Sequence, residues 1–359
     1  MIEEQPKPQE MQPCVVIDTN SWLSSLMLRS GTGAALLHYL NRSGGKLGLS
    51  EVVEKETRAH ILQYTLEAIK DIEKGFRTIG AIVGAHSKYE VPTEQAITDG
   101  IEARFQALNT LIVPVPMTLE HARRALDRVT AKLPPNVNKE QFKDSLIWEA
   151  ALDLGHTYGV HFVSKDKQFY KGQKYDDGLA SQLATQCQER GIELHIYEDL
   201  MQCLAVLAEQ APGLDKNEVA LVISAEIESD TRFGSVNQGL ALGPLIHHEI
   251  SAYYTEQYDV LGVEFELTYE GSELESYHRI QLSTRQARSR ADATITIKGD
   301  CSYSMTDGRV SGTLIDRIEF RRKNESREEM LNAPAIIFLS SIIGGPREIP
   351  FSIREPLDR

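Results

Sequence analysis

Four acidic residues in this chain of 359 residues stand where they could act together. Asp18 follows the apolar run in VVIDTN, Glu56 lies in LSEVVEKE, Asp144 in QFKDSLIWEAALDLG, and Asp166 in VHFVSKDKQFY. An apolar strand of Val and Ile reads as the interior of a parallel sheet, and ligands bind beyond the carboxyl ends of such strands. Asp18 and Asp166 share that placement, so adjacent parallel strands would bring them to one sheet edge. Four carboxylates meeting without enough Lys or Arg would repel one another, and the usual resolution is a hard divalent cation held by oxygen ligands. Each acid alone has an ordinary explanation. Asp18 and Asp144 could simply cap helices or form turns, so the combination is more specific than any member.

Helical geometry chooses among the neighbouring acids. Glu56 follows Val53 and Val52 by three and four residues and shares their face, whereas Glu54 is two places from Val52 and points elsewhere. A lone Glu drawn toward a core is costly unless it meets a cation. Asp144 is in line with Ile147, Trp148 and Ala151, which puts it on a packed face. Glu149 is rotated about 140° from Asp144 and is expected in solvent.

The elements that must position these acids are legible as an alternation. CVVID, KLGLS, LIVPVP, VHFVSKD and GIELHIY read as strands. Between and after them, helical stretches run through GTGAALLHYL, Glu51 to Gly84, TEQAITDGIEARFQALN, Leu119 to Leu133, KDSLIWEAALDLG, SQLATQCQERG and EDLMQCLAVLAEQ. Such alternation predicts an α/β three-layer sandwich with a mostly parallel sheet over residues 13–210, after a flexible lead at 1–12. APGLDKN breaks the pattern with Pro and Gly, which predicts a linker at 211–217. Beyond it, LGVEFELTYE alternates Leu261, Val263, Phe265, Leu267 and Tyr269 with polar residues, the period of a half-buried antiparallel strand. ADATITIKG and GRVSGTLIDRIEF repeat the pattern, so residues 218–359 are expected to form a β-rich (α+β) domain, a small sandwich or barrel, with an apolar tail packed as a helix.

Composition narrows the function. A formal charge of −14 makes the bulk surface repel phosphate, so a nucleic-acid partner has to be met by a local basic patch or through metal ions. The four cysteines have no CxxC spacing, which argues against a zinc site or a disulfide framework and fits reduced thiols in a cytoplasmic protein. The start of the sequence lacks the basic and apolar regions of a signal peptide. The apolar run Ala333 to Ile343 is far shorter than the roughly 20 residues that span a bilayer.

The order VVIDTN, LSEVVEKE, the Asp144 helix and FVSKDKQF, with a strand-end acid first and last, resembles the PIN domain, a metal-dependent nuclease fold. The resemblance covers about Cys14 to Ile196 and is nearest to longer PIN-like domains that carry a large insertion between the second and third acids. It implies that Asp18, Glu56, Asp144 and Asp166 are the acidic quartet, ligands of Mg²⁺ or Mn²⁺. Asn20 and Ser164 match the small polar positions that orient the quartet. Ser50 stands where the resemblance leads one to expect proline. The implied activity is hydrolysis of phosphodiesters, with RNA favoured over DNA, and the implied role is that of a toxin or phage-defence effector. A catalytically silent scaffold that binds RNA or a protein, or a DNA endonuclease, is the alternative. The resemblance does not extend to the β-rich half, where self-association or a regulatory protein partner is open. Its basic residues, Arg285, Arg288, Arg290, Arg321 and Arg322 with Arg309, Arg317, Lys323 and Arg327, form either a nucleic-acid surface or a solvated face paired to nearby acids. His247, His248 and Glu249 are read as ordinary structural residues, because neighbours on a strand face opposite ways.

Overall fold

A computed structural model describes residues 11–84, 90–229, 240–273, 293–322, 329–331 and 336–337. The chain divides into two compact units, one built of residues up to Arg29 together with Leu36–Ala208, the other of Ser30–Ala35 with residues from Glu209 onward.

The first unit is an α/β fold. Five strands, β1 (Pro13–Ile17), β2 (Lys46–Ser50), β3 (Ile112–Val115), β4 (Gly159–Val163) and β5 (Leu194–Tyr197), form a wholly parallel sheet in the order β3-β2-β1-β4-β5. Cys14 to Ile17 are buried without alternation, as a strand covered on both faces requires. Around the sheet run α1 (Thr19–Ser24), α2 (Gly31–Ser43), α3 (Glu51–Val83), α4 (Glu94–Leu108), α5 (Leu119–Thr130), α6 (Phe142–Leu154), α7 (Ser181–Arg190) and α8 (Leu200–Leu207). All five strand runs read from the sequence are present. Ser50, in the position expected to hold proline, caps α3: its hydroxyl accepts from Val53 N at 3.2 Å, which defines the helix start by another means.

The core carries a correction. Glu149 is buried, 1 % exposed, where the helical wheel placed it in solvent. The reason is that α6 has no solvated face over its middle: Ser145 to Leu152 are all buried. Glu149 is met instead by α5, whose Arg128 donates to Glu149 Oε1 at 3.0 Å and to Gln186 Oε1 at 2.7 Å. Arg124 and Arg190 stand 3.7 and 4.0 Å from the other carboxylate oxygen. Gln186 also accepts from the buried Trp148 indole at 2.9 Å, so the network locks α6 in place.

In the second unit, β6 (Leu240–Tyr254), β7 (Val260–Glu273), β8 (Ala293–Ser304) and β9 (Val310–Arg322) form an antiparallel meander, with the short β10 (Glu329–Leu331) and β11 (Ile336–Ile337) both pairing with β9. Leu261, Val263, Phe265, Leu267 and Tyr269 of β7 are buried on one face, as their spacing predicts. The expected sandwich or barrel is not what covers them. Among the described residues, their cover is α9 (Lys216–Ser229), which brings Val219, Ala220, Ile223 and Ile227 onto the sheet. This helix begins inside the segment expected to be a linker. Of the apolar tail expected as a helix, Ile336–Ile337 is strand, and the rest lies outside the described residues. No helix among the described residues is long and apolar enough to cross a membrane.

Asp300 on β8 is buried and faces Ser30–Ala35, where it accepts from Gly31 N and Thr32 Oγ1, both at 2.9 Å. Burial, with nearby Asp316 adding repulsion, pushes its carboxyl up to about 7.

Two predictions follow from this packing. Arg128→Ala leaves Glu149 buried with only its more distant partners and is expected to cost roughly 3 kcal/mol in urea unfolding. Replacing both residues with Leu should recover much of that loss, and an equally unstable double variant would argue against a charge-pairing origin. Because Asp300 binds its proton more tightly folded than unfolded, its contribution is full at acid pH and is lost as pH rises through about 7. Melting temperatures of Asp300→Asn and wild type should therefore diverge in favour of the variant between pH 5 and 8, and parallel curves would contradict this.

Candidate active site

The strand order fixes where a site can form. From β1 the chain steps through β2 to β3 on one side, and from β4 to β5 on the other. The loops leaving β1 and β4 therefore diverge, and a crevice opens beyond their carboxyl ends. Ile17 pairs with Val163 as the last rung between them. Asp18 and Ser164 come next, and Asp18 N donates to Val163 O at 3.0 Å.

Each acid is delivered by a different element. Asp18 is buried and caps α1: Oδ1 accepts from Ser21 N at 2.8 Å, and Oδ2 accepts from Lys165 N at 3.3 Å. It is thus both a helix cap and a pocket residue. Glu56 extends from the first turns of α3, its Oε2 accepting from Thr19 Oγ1 at 2.8 Å and its Oε1 from Lys143 Nζ. Glu54, the rejected neighbour, turns away to Arg58 at 2.8 Å. Asp144 lies in the first turn of α6, whose cap is Gln141, so capping is not its task. Asp166 follows β4 and accepts from Gln168 N at 2.9 Å through Oδ1. Gln141 Nε2 donates to Asp144 Oδ2 at 2.8 Å and also to Asp166 Oδ2.

All four acids line one cavity of about 410 Å³, together with Thr19, Asn20, His60, Gln141, Lys143, Ile147 and Lys165. Burial raises the carboxyl of Asp18 above its ordinary range, against hydrogen bonds from Ser21, Ser164 and Lys165 that pull it down. Asp144 is raised to about 6, first by burial and then by repulsion from Asp166, with Asp18 and Glu56 adding to it. Among the described residues, no three His, Cys, Asp or Glu side chains close on one point as metal ligands do. Gln141 bridges Asp144 and Asp166, and Lys143 pairs with Glu56. In chemistry the donor set still fits a hard divalent cation: four carboxylates around a cavity, with more negative charge than the two lysines on its rim offset.

The structure brings Asp18, Glu56, Asp144, Asp166 and Asn20 to one place. Ser164 is fully buried beneath them, its hydroxyl bonded to Asp18 and accepting from Asp166 N at 3.2 Å, so it ties the two strand-end acids together. Asn20 is exposed on the rim, and the side chain that holds Glu56 is its neighbour Thr19. Thr19, His60, Gln141, Lys143 and Lys165 escaped sequence reasoning. His60 follows Glu56 by one helical turn, a spacing that could have found it. Gln141 lies before its helix, where no periodicity applies.

Arg285, Arg288 and Arg290 lie outside the described residues, as do Lys323 and Arg327. Arg321 and Arg322 end β9. Arg309 stands 3.4 Å from Asp307 and Arg317 stands 3.5 Å from Glu319, so these two are paired to acids. His247 stands 3.5 Å from Glu249 on β6, both exposed.

The chain matches no curated protein sequence. The family model described as PIN domain matches residues 15–169, a span that contains all four acids and the crevice between β1 and β4. Over these residues the chain is similar to the PIN domain family.

Proposed function

We propose that the chain is a divalent-metal-dependent endonuclease that hydrolyses phosphodiester bonds, with RNA favoured over DNA. One observation carries the reading: four carboxylates from four separate elements line a single cavity at the switch point of a parallel sheet. The PIN domain is generally a nuclease fold, and the match supports the same reading.

In this reading Asp18 and Asp166 are the direct ligands of Mg²⁺ or Mn²⁺, while Glu56 and Asp144 complete the site or act through water. One or two such ions, when bound, supply the Lewis acidity that activates water and stabilises charge on a leaving oxygen. Ser164 keeps Asp18 and Asp166 in fixed relation, and Thr19 orients Glu56. Lys143 and Lys165 place two cations on the rim of an otherwise acidic cavity. A phosphate needs such local charge to approach a chain of net charge −14. The preference for RNA, and a role as toxin or phage-defence effector, come from the resemblance to PIN domains. The second unit would recruit substrate, self-associate or receive a regulatory protein. A cytoplasmic location belongs to the same reading, supported by four cysteines that are free and buried.

Labelled single-stranded RNA, structured RNA and DNA, incubated with Mn²⁺, Mg²⁺ or EDTA, test the proposal. Wild type should cleave RNA only with metal, and Asp18→Asn or Asp166→Asn should lower the rate by at least about a hundredfold while circular dichroism stays native. Cleavage that persists in Asp18→Asn would refute the assignment. DNA cleavage would move the substrate class, and metal uptake or RNA binding without cleavage of any substrate would favour a silent scaffold.

A further inference from the structure

We propose that Gln141 is a positioning residue that stands in for the cation: in the metal-free protein its amide holds Asp144 and Asp166 together, and metal entry displaces it. The inference rests on the reading of this cavity as a metal site.

One amide nitrogen spans two acids. Gln141 Nε2 donates one proton to Asp144 Oδ2 at 2.8 Å and the other to Asp166 Oδ2. These two carboxylates line the same cavity. An amide between two like charges does, with its positive edge, part of what a cation would do.

The orientation of the amide has a cost that shows what determines it. Gln141 Oε1 is buried and has no hydrogen-bond partner among the described residues. Turning the amide over would free the nitrogen and set its oxygen against two carboxylates. The site therefore keeps the donor toward the acids and leaves the acceptor orphaned, although a buried acceptor without a partner is unfavourable. Gln141 is also the N-cap residue of α6, yet its side chain makes no capping bond there. It faces the acids instead of its own helix.

The backbone beneath it is fixed. Gln141 N donates to Asn136 Oδ1 at 2.6 Å, Asn136 Nδ2 donates to Ser145 Oγ at 2.8 Å, and Ser145 Oγ donates back to Gln141 O at 2.9 Å. Only the side chain of Gln141 is free to leave, by rotation about its own bonds. Lys143 Nζ sits on Glu56 Oε1 in a parallel arrangement, but Lys143 is mostly exposed and gives way to solvent at little cost. Gln141 is half-buried and is the donor that sets the threshold for metal entry.

This arrangement accounts for carboxylates that converge on one cavity without closing to ligand geometry. It also separates two roles. A stand-in for the cation competes with metal, so removing it tightens binding. A ligand through Oε1 assists the metal, so removing it weakens binding.

Calorimetric titration of the full chain with Mn²⁺ decides between them, using wild type, Gln141→Met, Gln141→Ala and Asp166→Asn, with melting curves of each in EDTA and in saturating Mn²⁺. Met keeps the length of the side chain without its donors, and Ala serves if Met does not fold. Gln141→Met is expected to bind Mn²⁺ at least about tenfold more tightly than wild type, the effect of losing the competing charge-assisted hydrogen bonds to Asp144 and Asp166. It should melt below wild type in EDTA and level with it in Mn²⁺. Unchanged or weaker affinity, or an equal loss of melting temperature in both conditions, would overturn the proposal and leave the metal site standing. Wild type that takes up no Mn²⁺, or Asp166→Asn that binds as wild type does, would overturn the metal site and this inference with it.

Discussion

Mutual repulsion among half-buried carboxylates is the constraint on which the rest of the first unit depends. Asp18 is buried and Asp144 is raised to about 6 by burial and by the other three acids. Such a group of like charges persists only if the surrounding structure over-determines it. The scaffold does so by spending its most rigid elements on the task. Two adjacent central strands end at Asp18 and Ser164, α3 starts at a Ser50 cap that sets the direction of Glu56, and α6 is buried around Asp144. Side chains on strands and helices are held more precisely than side chains on loops, which a metal site requires.

The arrangement around the acids is layered. Ser21, Ser164 and Lys165 serve Asp18, Thr19 and Lys143 serve Glu56, and Gln141 with Gln168 serves Asp144 and Asp166. In the proposed function, hydrogen bonds of this kind would orient the four acids as a ligand set for a cation. Elsewhere along α6, the Arg128–Glu149–Gln186–Trp148 network holds the helix to α5 and α7. A buried ion pair adds little net stability, but it penalises any shift that would separate the partners.

Much of this was legible in the sequence, for physical reasons that can be named. The five strand runs were visible because parallel strands covered on both faces are continuously apolar, as Cys14 to Ile17 show. Glu56 could be told from Glu54 because Val53, on its face, packs inward. Glu149 was misplaced because a helical wheel assumes a solvated back, and α6 has none in its middle. Gln141, Thr19 and Lys143 act through tertiary contacts that no local period encodes, and the partition of Ser30–Ala35 with the second unit is equally non-local. In that unit the alternation of β7 correctly marked one buried face, but alternation cannot say what covers it. Here the cover is α9, a helix of modest amphipathic contrast that starts within a Pro- and Gly-bearing stretch.

The most direct test of a cation held by this quartet is anomalous diffraction from crystals of the full chain grown with Mn²⁺. An anomalous peak beyond the carboxyl ends of β1 and β4, coordinated by Asp18 and Asp166 with Asp144 or Glu56 directly or through water, is the predicted result. Mn²⁺ bound elsewhere, or a cavity without an anomalous peak at Mn²⁺ concentrations that saturate the protein in solution, would contradict it.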